Sequence, residues 1–156
     1  MSTIIHDWNP AKGDCLQGDV ILFRLPNKFK FSTDDEIAVR DNRLILAEGE
    51  VTGHHHAIWM PQPTMFRDDA LARDLMAASP DTVATSRLYR DVAAVQSLVR
   101  SGQLMTDRLA IGFLIVGGGP VVLRHDEHDA IRIPVGRYYV GGQQEWDAAD
   151  ARRVQD

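Results

Sequence analysis

The chain has 156 residues, of which 44% are apolar and 25% are charged, as in an ordinary globular protein of one domain. Its formal net charge of −5 argues against broad electrostatic binding to nucleic acid or to an anionic membrane, because both need a basic surface. Cys15 is the only cysteine, which excludes an intrachain disulfide and suits a reducing compartment. The sequence shows no signal-peptide pattern and no apolar run of the roughly 18 residues that a membrane helix needs, so we expect a cytoplasmic protein.

The first part of the chain is typical of short β-strands. Residues 1–17 are rich in turn formers and predict an irregular arm. The Gly-Asp pair at 18–19 then opens an apolar, β-branched run over 20–25, which predicts a strand. An alternating pattern predicts a second strand over 43–51, and a third is expected over 57–60.

Helical spacing of apolar residues replaces the strand patterns in the middle of the chain. Residues 66–79 are rich in Ala, Leu and Arg and predict one helix, and residues 85–100 predict a second. In the second helix, apolar side chains recur at helical intervals and form one stripe, which we expect to be buried: Leu88, Val92, Val95 and Val99. The two helices predict a helical insertion at 66–102 between β-rich halves of a single domain that spans 1–156.

Strand patterns return after these helices. The apolar run 109–119 ends in three glycines and is followed by the run 120–125, which predicts a hairpin with the glycines in its turn. Pro134 cannot donate to a strand ladder, so it marks an edge strand or a strand end. The charged tail at 147–156 predicts a short helix or a disordered end. With about seven short strands in all, the pattern predicts a mainly β domain, either a small barrel or a sandwich.

Histidine clusters are the strongest chemical signal in the sequence. His54 and His56 lie two residues apart, so in a strand they project to one side while His55 points to the other. His125 and His128 form a second cluster, about seventy positions later, where another apolar run meets turn residues. Neutral imidazole is the commonest transition-metal ligand. If the fold brings the clusters together, they predict a site for one divalent transition metal.

The residues leave the identity of this site open in several respects. Imidazole ligands suit Zn, Fe, Ni and Mn alike, and a metal-free polar pocket or unrelated surface histidines are alternatives. Glu50 and Glu127 are the candidate catalytic carboxylates. Glu50 is a metal ligand, a general base or an exposed strand residue, and Glu127 is an additional oxygen donor or a partner that orients an imidazole. An open coordination position would favour catalysis, whereas four protein ligands in a tetrahedron would favour a structural metal.

Two resemblances add to this interpretation. The segment Ile-Arg-Ile-Pro-Val-Gly at 131–136 resembles the Ile-x-Ile-Pro-x-Gly segment of the cupin superfamily, whose members bind metal through a His-x-His motif. The chain is also similar to a small uncharacterised bacterial family in the strings Gln-Gly-Asp-Val at 17–20, Gly-Glu-Val-Thr-Gly-His-His-His at 49–56 and His-Asp-Glu-His at 125–128. The first resemblance implies a cupin-like β-fold, and the second implies a shared site at the two histidine clusters.

The sequence therefore predicts a metal-binding β-domain and leaves two classes of function open. One is a metal-dependent hydrolase, isomerase or oxygenase that acts on a small polar molecule. The other is a non-catalytic binding or interaction module in which the metal is structural or absent, and in which the helical pair contacts the partner. A homo-oligomer is compatible with either class, and no nucleic acid or membrane is expected as a partner.

Overall fold

The computed structural model describes residues 4–48, 54–60 and 85–143. These residues form ten strands and one helix. The strands are β1 (Ile5–Asp7), β2 (Cys15–Gln17), β3 (Val20–Arg24), β4 (Arg43–Glu48), β5 (His55–Trp59), β6 (Thr85–Tyr89), β7 (Ala110–Gly117), β8 (Val121–Arg124), β9 (Ala130–Ile133) and β10 (Gly136–Gly142). The helix α1 (Val92–Arg100) lies between β6 and β7. The predicted mainly β fold is confirmed.

The strands form two five-stranded sheets, which we call sheet A and sheet B. Sheet A has the order β1-β9-β8-β5-β4, and sheet B has the order β2-β3-β10-β7-β6. All pairs are antiparallel except β1 with β9, which is parallel. Within the described ranges each sheet ends in two edge strands, so these residues form a sandwich and not a closed barrel.

The main core lies between the two sheets. Sheet A contributes Leu44, Ile58 and Leu123 to it, and sheet B contributes Leu22 and Tyr138 among others. These side chains are at most 2% exposed. Burial of this apolar surface is the dominant favourable term in folding, so this layer holds the two sheets together.

The helix α1 covers the outer face of sheet B. Its buried residues Val95 and Leu98 pack with Leu25, Phe113 and Tyr139 in a second apolar cluster. The central strands β7 and β10 are therefore covered on both faces, which explains their nearly continuous apolar sequences.

The prediction of one helix over 85–100 is wrong in its first part. Residues Thr85–Tyr89 form the strand β6, and α1 begins only after Asp91, whose side chain caps it by accepting a hydrogen bond from the Ala94 amide. The predicted apolar stripe combined residues of two different elements. Leu88 is buried but belongs to the strand β6, and Val92 at the start of α1 is 71% exposed. The predicted helix 66–79 and the tail 147–156 lie outside the described residues.

The predicted hairpin of 109–125 is also wrong. Strand β7 pairs with β6 and β10 in sheet B, whereas β8 pairs with β5 and β9 in sheet A. The residues between them, from Gly118 to Pro120, carry the chain from one sheet to the other, with Gly118 at a φ of 73° that favours glycine. The prediction about Pro134 is confirmed, because β9 ends one residue before it. The described residues contain no helix long and apolar enough to cross a lipid bilayer.

The lone thiol of Cys15 should be inert in the folded protein. Cys15 is 3% exposed within the main core, and burial raises its pKa to about 12. Since the thiolate is the reactive form, we expect a thiol reagent such as Ellman's reagent to label no cysteine in the native protein and one per chain in denaturant. Rapid labelling under native conditions would show that β2 opens readily from sheet B.

Candidate functional site

Three segments from the two sheets meet at one end of the sandwich. The turn between β2 and β3 brings Gln17, Gly18 and Asp19 from sheet B. The start of β5 brings His54 and His56 from sheet A. The connection between β8 and β9, which holds His125 and His128, completes the group. We call these seven residues the histidine site.

The two histidine clusters lie in direct contact. The ring centroids of His56 and His125 are 4.2 Å apart, and those of His125 and His128 are 4.7 Å apart. His54 lies 5.9 Å from His125, and His56 lies 6.1 Å from His128. His55 lies elsewhere, with its Nε2 4.0 Å from a carboxylate oxygen of Glu48. The fold thus brings together all four histidines that the sequence singled out as ligands.

Gln17 determines which nitrogen of His56 carries the proton. The Gln17 amide is buried, and its Nε2 donates to the backbone carbonyls of Leu123 and Asp129, each at 3.0 Å. Its Oε1 is thereby turned toward His56 Nδ1, at 2.8 Å. An amide oxygen can only accept, so Nδ1 must be the donor. The neutral imidazole of His56 therefore carries its lone pair on Nε2.

That lone pair faces a carboxylate. Asp19 Oδ1 lies 3.0 Å from His56 Nε2, and two acceptors at this distance repel each other unless a cation lies between them. Burial lowers the pKa of His56 to about 4, with further lowering by the neighbouring His125 and His128 and an opposing effect of Asp19. His56 is 1% exposed, so a proton on this ring is disfavoured at neutral pH. The pair of atoms is suited to a different cation.

Gly18 allows the β2–β3 turn to approach the imidazoles. Its φ is 56°, and the two-residue loop Gly18-Asp19 has the glycine at the first central position, as type II′ hairpins require. A Cβ on Gly18 would lie 2.6 Å from His128 Nε2 and 3.2 Å from His56 Cε1. Any other residue at this position would strain the turn and displace His128.

His125 and the acidic residues complete the surroundings. The Glu127 amide donates to His125 Nδ1 at 3.1 Å, and burial lowers the pKa of His125, followed by the effect of His128. The carboxylate of Glu127, predicted as a catalytic candidate, lies 3.3 Å from His54 Nδ1 and is largely exposed. Its position suits a partner that orients His54. Glu50, the other catalytic candidate, lies outside the described residues.

The histidine site groups several possible metal-ligand atoms but is not a preformed metal site. Within the part of the chain that the structure describes, no three His, Cys, Asp or Glu side chains are arranged so as to hold a metal ion. One reason is visible at His125, whose Nδ1 lone pair is engaged by a backbone amide. His56 Nε2 and Asp19 Oδ1 are the two donors that already converge.

A cavity of about 380 Å³ opens beside the histidine site. Gln17, Gly18 and His128 form one part of its wall, and His6 and Trp8 line another part. Its volume lies within the range of about 300–1,000 Å³ that small-molecule sites occupy. A small ligand in this cavity would reach the site from the side of His128.

Sequence reasoning missed Gln17 and Asp19 as site residues. In the sequence they stood out only because Asp19 belongs to a predicted turn and both residues belong to the segment 17–20 that is similar to the uncharacterised family. Their role follows from the packing of sheet B against sheet A, which local patterns do not encode.

Comparison with protein families gives a match over part of the chain. A family described as "Domain of unknown function (DUF8820)" matches residues 16–87. The match includes Gln17, Asp19 and His56 but not His125 or His128, and it agrees with the expected similarity to an uncharacterised family. No curated protein and no solved structure matches the chain. The cupin resemblance stays a prediction.

Proposed function

We propose that the chain binds one divalent transition metal at the histidine site, with His56 Nε2 and Asp19 Oδ1 as its first two ligands. The observation that carries this proposal is the orientation of His56 by Gln17. Histidines that bind metals usually donate their second ring N–H to an oxygen acceptor, which fixes the tautomer and raises the basicity of the ligating nitrogen. Gln17 provides such an acceptor from within the core.

The distance between the two atoms supports the same proposal. Metal bonds of about 2.0–2.1 Å place neighbouring ligand atoms about 3 Å apart. His56 Nε2 and Asp19 Oδ1 are 3.0 Å apart, so a shared ion would replace the repulsion between them by two bonds without moving either backbone.

The remaining ligands would come from the β8–β9 connection. His128 is exposed and lies against Gly18, so a change of rotamer can bring its imidazole onto the ion. His125 becomes a further ligand if it gives up the hydrogen bond from Glu127. Two imidazoles and one carboxylate are a donor set used by Zn, Mn, Ni and non-haem Fe(II).

A metal held in this way would leave room for chemistry on a small polar molecule. Held by three protein ligands, the ion would keep a position open and would supply Lewis-acid chemistry toward an oxygen of the bound molecule. The adjacent cavity supplies the space for such a molecule. A metal-dependent hydrolase, isomerase or oxygenase fits this arrangement better than a purely structural site.

Metal binding should depend on His56 and Asp19 and not on nearby residues of the same type. Protein purified without a histidine tag or a nickel column should bind about one zinc or manganese ion per chain in calorimetric titrations. His56→Ala and Asp19→Asn should each weaken binding by at least about 100-fold, since each removes a ligand. Gln17→Leu should weaken it by about 10- to 100-fold, because the ligand remains but loses its orienting partner.

Matched controls separate this effect from general damage. His6→Ala and Asp14→Asn change exposed residues of the neighbouring cavity and should leave the metal affinity unchanged. Equal affinity of the wild-type protein and the His56→Ala variant would overturn the proposal. So would the absence of binding for zinc, manganese, nickel and iron(II) alike.

Substitution with cobalt(II) tests the open position. The visible absorption of the cobalt protein should shift when azide is added, because the anion takes the position that the protein leaves free. Spectra that azide does not change would favour a closed, structural site.

A further inference from the structure

A second cavity, separate from the histidine site, lies where β5, β6 and β8 approach each other. It measures about 240 Å³, and its walls are mostly apolar: Ile58, Trp59, Met60, Pro120, Val121 and Val122. Two polar residues also line it, Ser86 and Arg124. None of these residues belongs to the histidine site, so this cavity needs an explanation of its own.

The hydroxyl of Ser86 is the first indication of a ligand. Ser86 is 5% exposed, and among the described residues its Oγ has no hydrogen-bond partner. It lies two residues before Leu88 on β6, so both side chains project to the inner face of sheet B. Buried polar groups without a partner are rare in folded proteins and cost stability. A hydroxyl left unpaired in the wall of a cavity is explained by a partner atom on a bound molecule.

Arg124 is the second indication. It ends β8 with an exposed side chain, and within the described ranges no carboxylate forms an ion pair with it. The chain as a whole carries a net negative charge, so the positive charge of Arg124 beside this apolar cavity differs in sign from the protein's overall charge. A guanidinium offers two parallel N–H donors that match a carboxylate.

We propose that this cavity binds a small carboxylic acid that has an apolar body and a hydroxyl group. The carboxylate pairs with Arg124, the hydrocarbon portion contacts Ile58 and the two valines, and the hydroxyl exchanges a hydrogen bond with Ser86. The cavity is smaller than the roughly 300 Å³ at which sites for drug-sized molecules begin, so the ligand is a short acid and not a long-chain lipid.

The assignment is tested with two probes and three variants of the full chain. The probes are hexanoate and ω-hydroxyhexanoate, which differ by one hydroxyl, and binding is measured by calorimetry. The wild-type protein should bind ω-hydroxyhexanoate about three- to tenfold more tightly than hexanoate, as expected for one additional neutral hydrogen bond. Ser86→Ala should abolish this preference while keeping the affinity for hexanoate. Arg124→Gln should weaken both probes by about tenfold or more and keep the preference.

Two further measurements distinguish a binding role from a structural one. Arg100→Gln removes an equal charge from the end of α1, outside the cavity, and should leave both affinities unchanged. Without ligand, Ser86→Ala should raise the melting temperature, because it removes an unpaired buried hydroxyl. The proposal is overturned if neither probe binds, if Ser86→Ala keeps the preference for the hydroxy acid, or if Arg100→Gln weakens binding as much as Arg124→Gln.

Discussion

The Val95→Asp variant should lose about 3–5 kcal/mol of unfolding free energy, because the substitution places an unpaired charge in an apolar layer. Val95 is 6% exposed and packs with Leu25, Leu98 and Phe113 between α1 and sheet B. Urea denaturation followed by circular dichroism measures the loss as a shift of the transition midpoint.

The same substitution three residues earlier is the matched control. Val92 is exposed in the first turn of α1, where a carboxylate also interacts favourably with the positive end of the helix dipole. Val92→Asp should therefore change the unfolding free energy by no more than about 0.5 kcal/mol. Equal losses for the two variants would mean that α1 does not dock on sheet B through Val95.

In metal-free protein, the unfolding free energy should fall as the pH is lowered from about 6.5 to about 4. The pKa of His56 is about 4 in the folded chain, chiefly because of burial, and its ordinary value is 6.5. Between these values the unfolded chain binds a proton that the folded chain excludes, so each pH unit costs up to about 1.4 kcal/mol. The total loss from this residue should be about 3 kcal/mol. Denaturation series in the presence of a chelator measure it.

The variant His56→Ala identifies the source of this pH dependence. It should be less stable than the wild-type protein at neutral pH, yet its stability should fall much less between about pH 6.5 and 4.5. His125 acts in the same direction, since its pKa is also lowered, and accounts for part of the remaining slope. If the two proteins lose stability in parallel over this interval, His56 is not buried as a neutral ring.

Much of the fold could be predicted from local patterns. The strands that begin at Val20 and Arg43 have the alternation and turn signals that specify half-buried strands, and the structure contains both. The errors arose where local patterns are ambiguous. Leu88 and Val95 are separated by a helical interval, but the first lies in β6 and the second in α1. The only local sign of the break was Asp91, a favoured helix N-cap residue.

Long-range pairing was less predictable than the strands themselves. The apolar runs before and after Gly117–Gly119 are adjacent in the chain and resemble a hairpin, because short-range sequence carries no information about which sheet a strand joins. In the structure, β7 pairs with β6 and β10, whereas β8 pairs with β5 and β9, so only the packed sheets distinguish a turn from a crossover.

The candidate site could be predicted in part, for a similar reason. The residue type and the spacing of His54, His56 and His125 were enough to expect a shared site, and the rings lie together. The contribution of Gln17 and Asp19 could not be predicted, since neither residue type is unusual beside a turn. Their effect depends on the orientation of the Gln17 amide, which the backbone carbonyls of Leu123 and Asp129 determine.

The central position of β10 has a consequence for how the chain reaches its native state. This strand lies between β3 and β7, and it pairs Tyr138 with Arg24, more than a hundred residues earlier. Sheet B therefore cannot close during synthesis until β10 has left the ribosome. Folding dominated by such distant contacts takes milliseconds to seconds in small β-proteins. During that interval β3 and β7 both present unpaired edges, which are surfaces on which two nascent copies can associate.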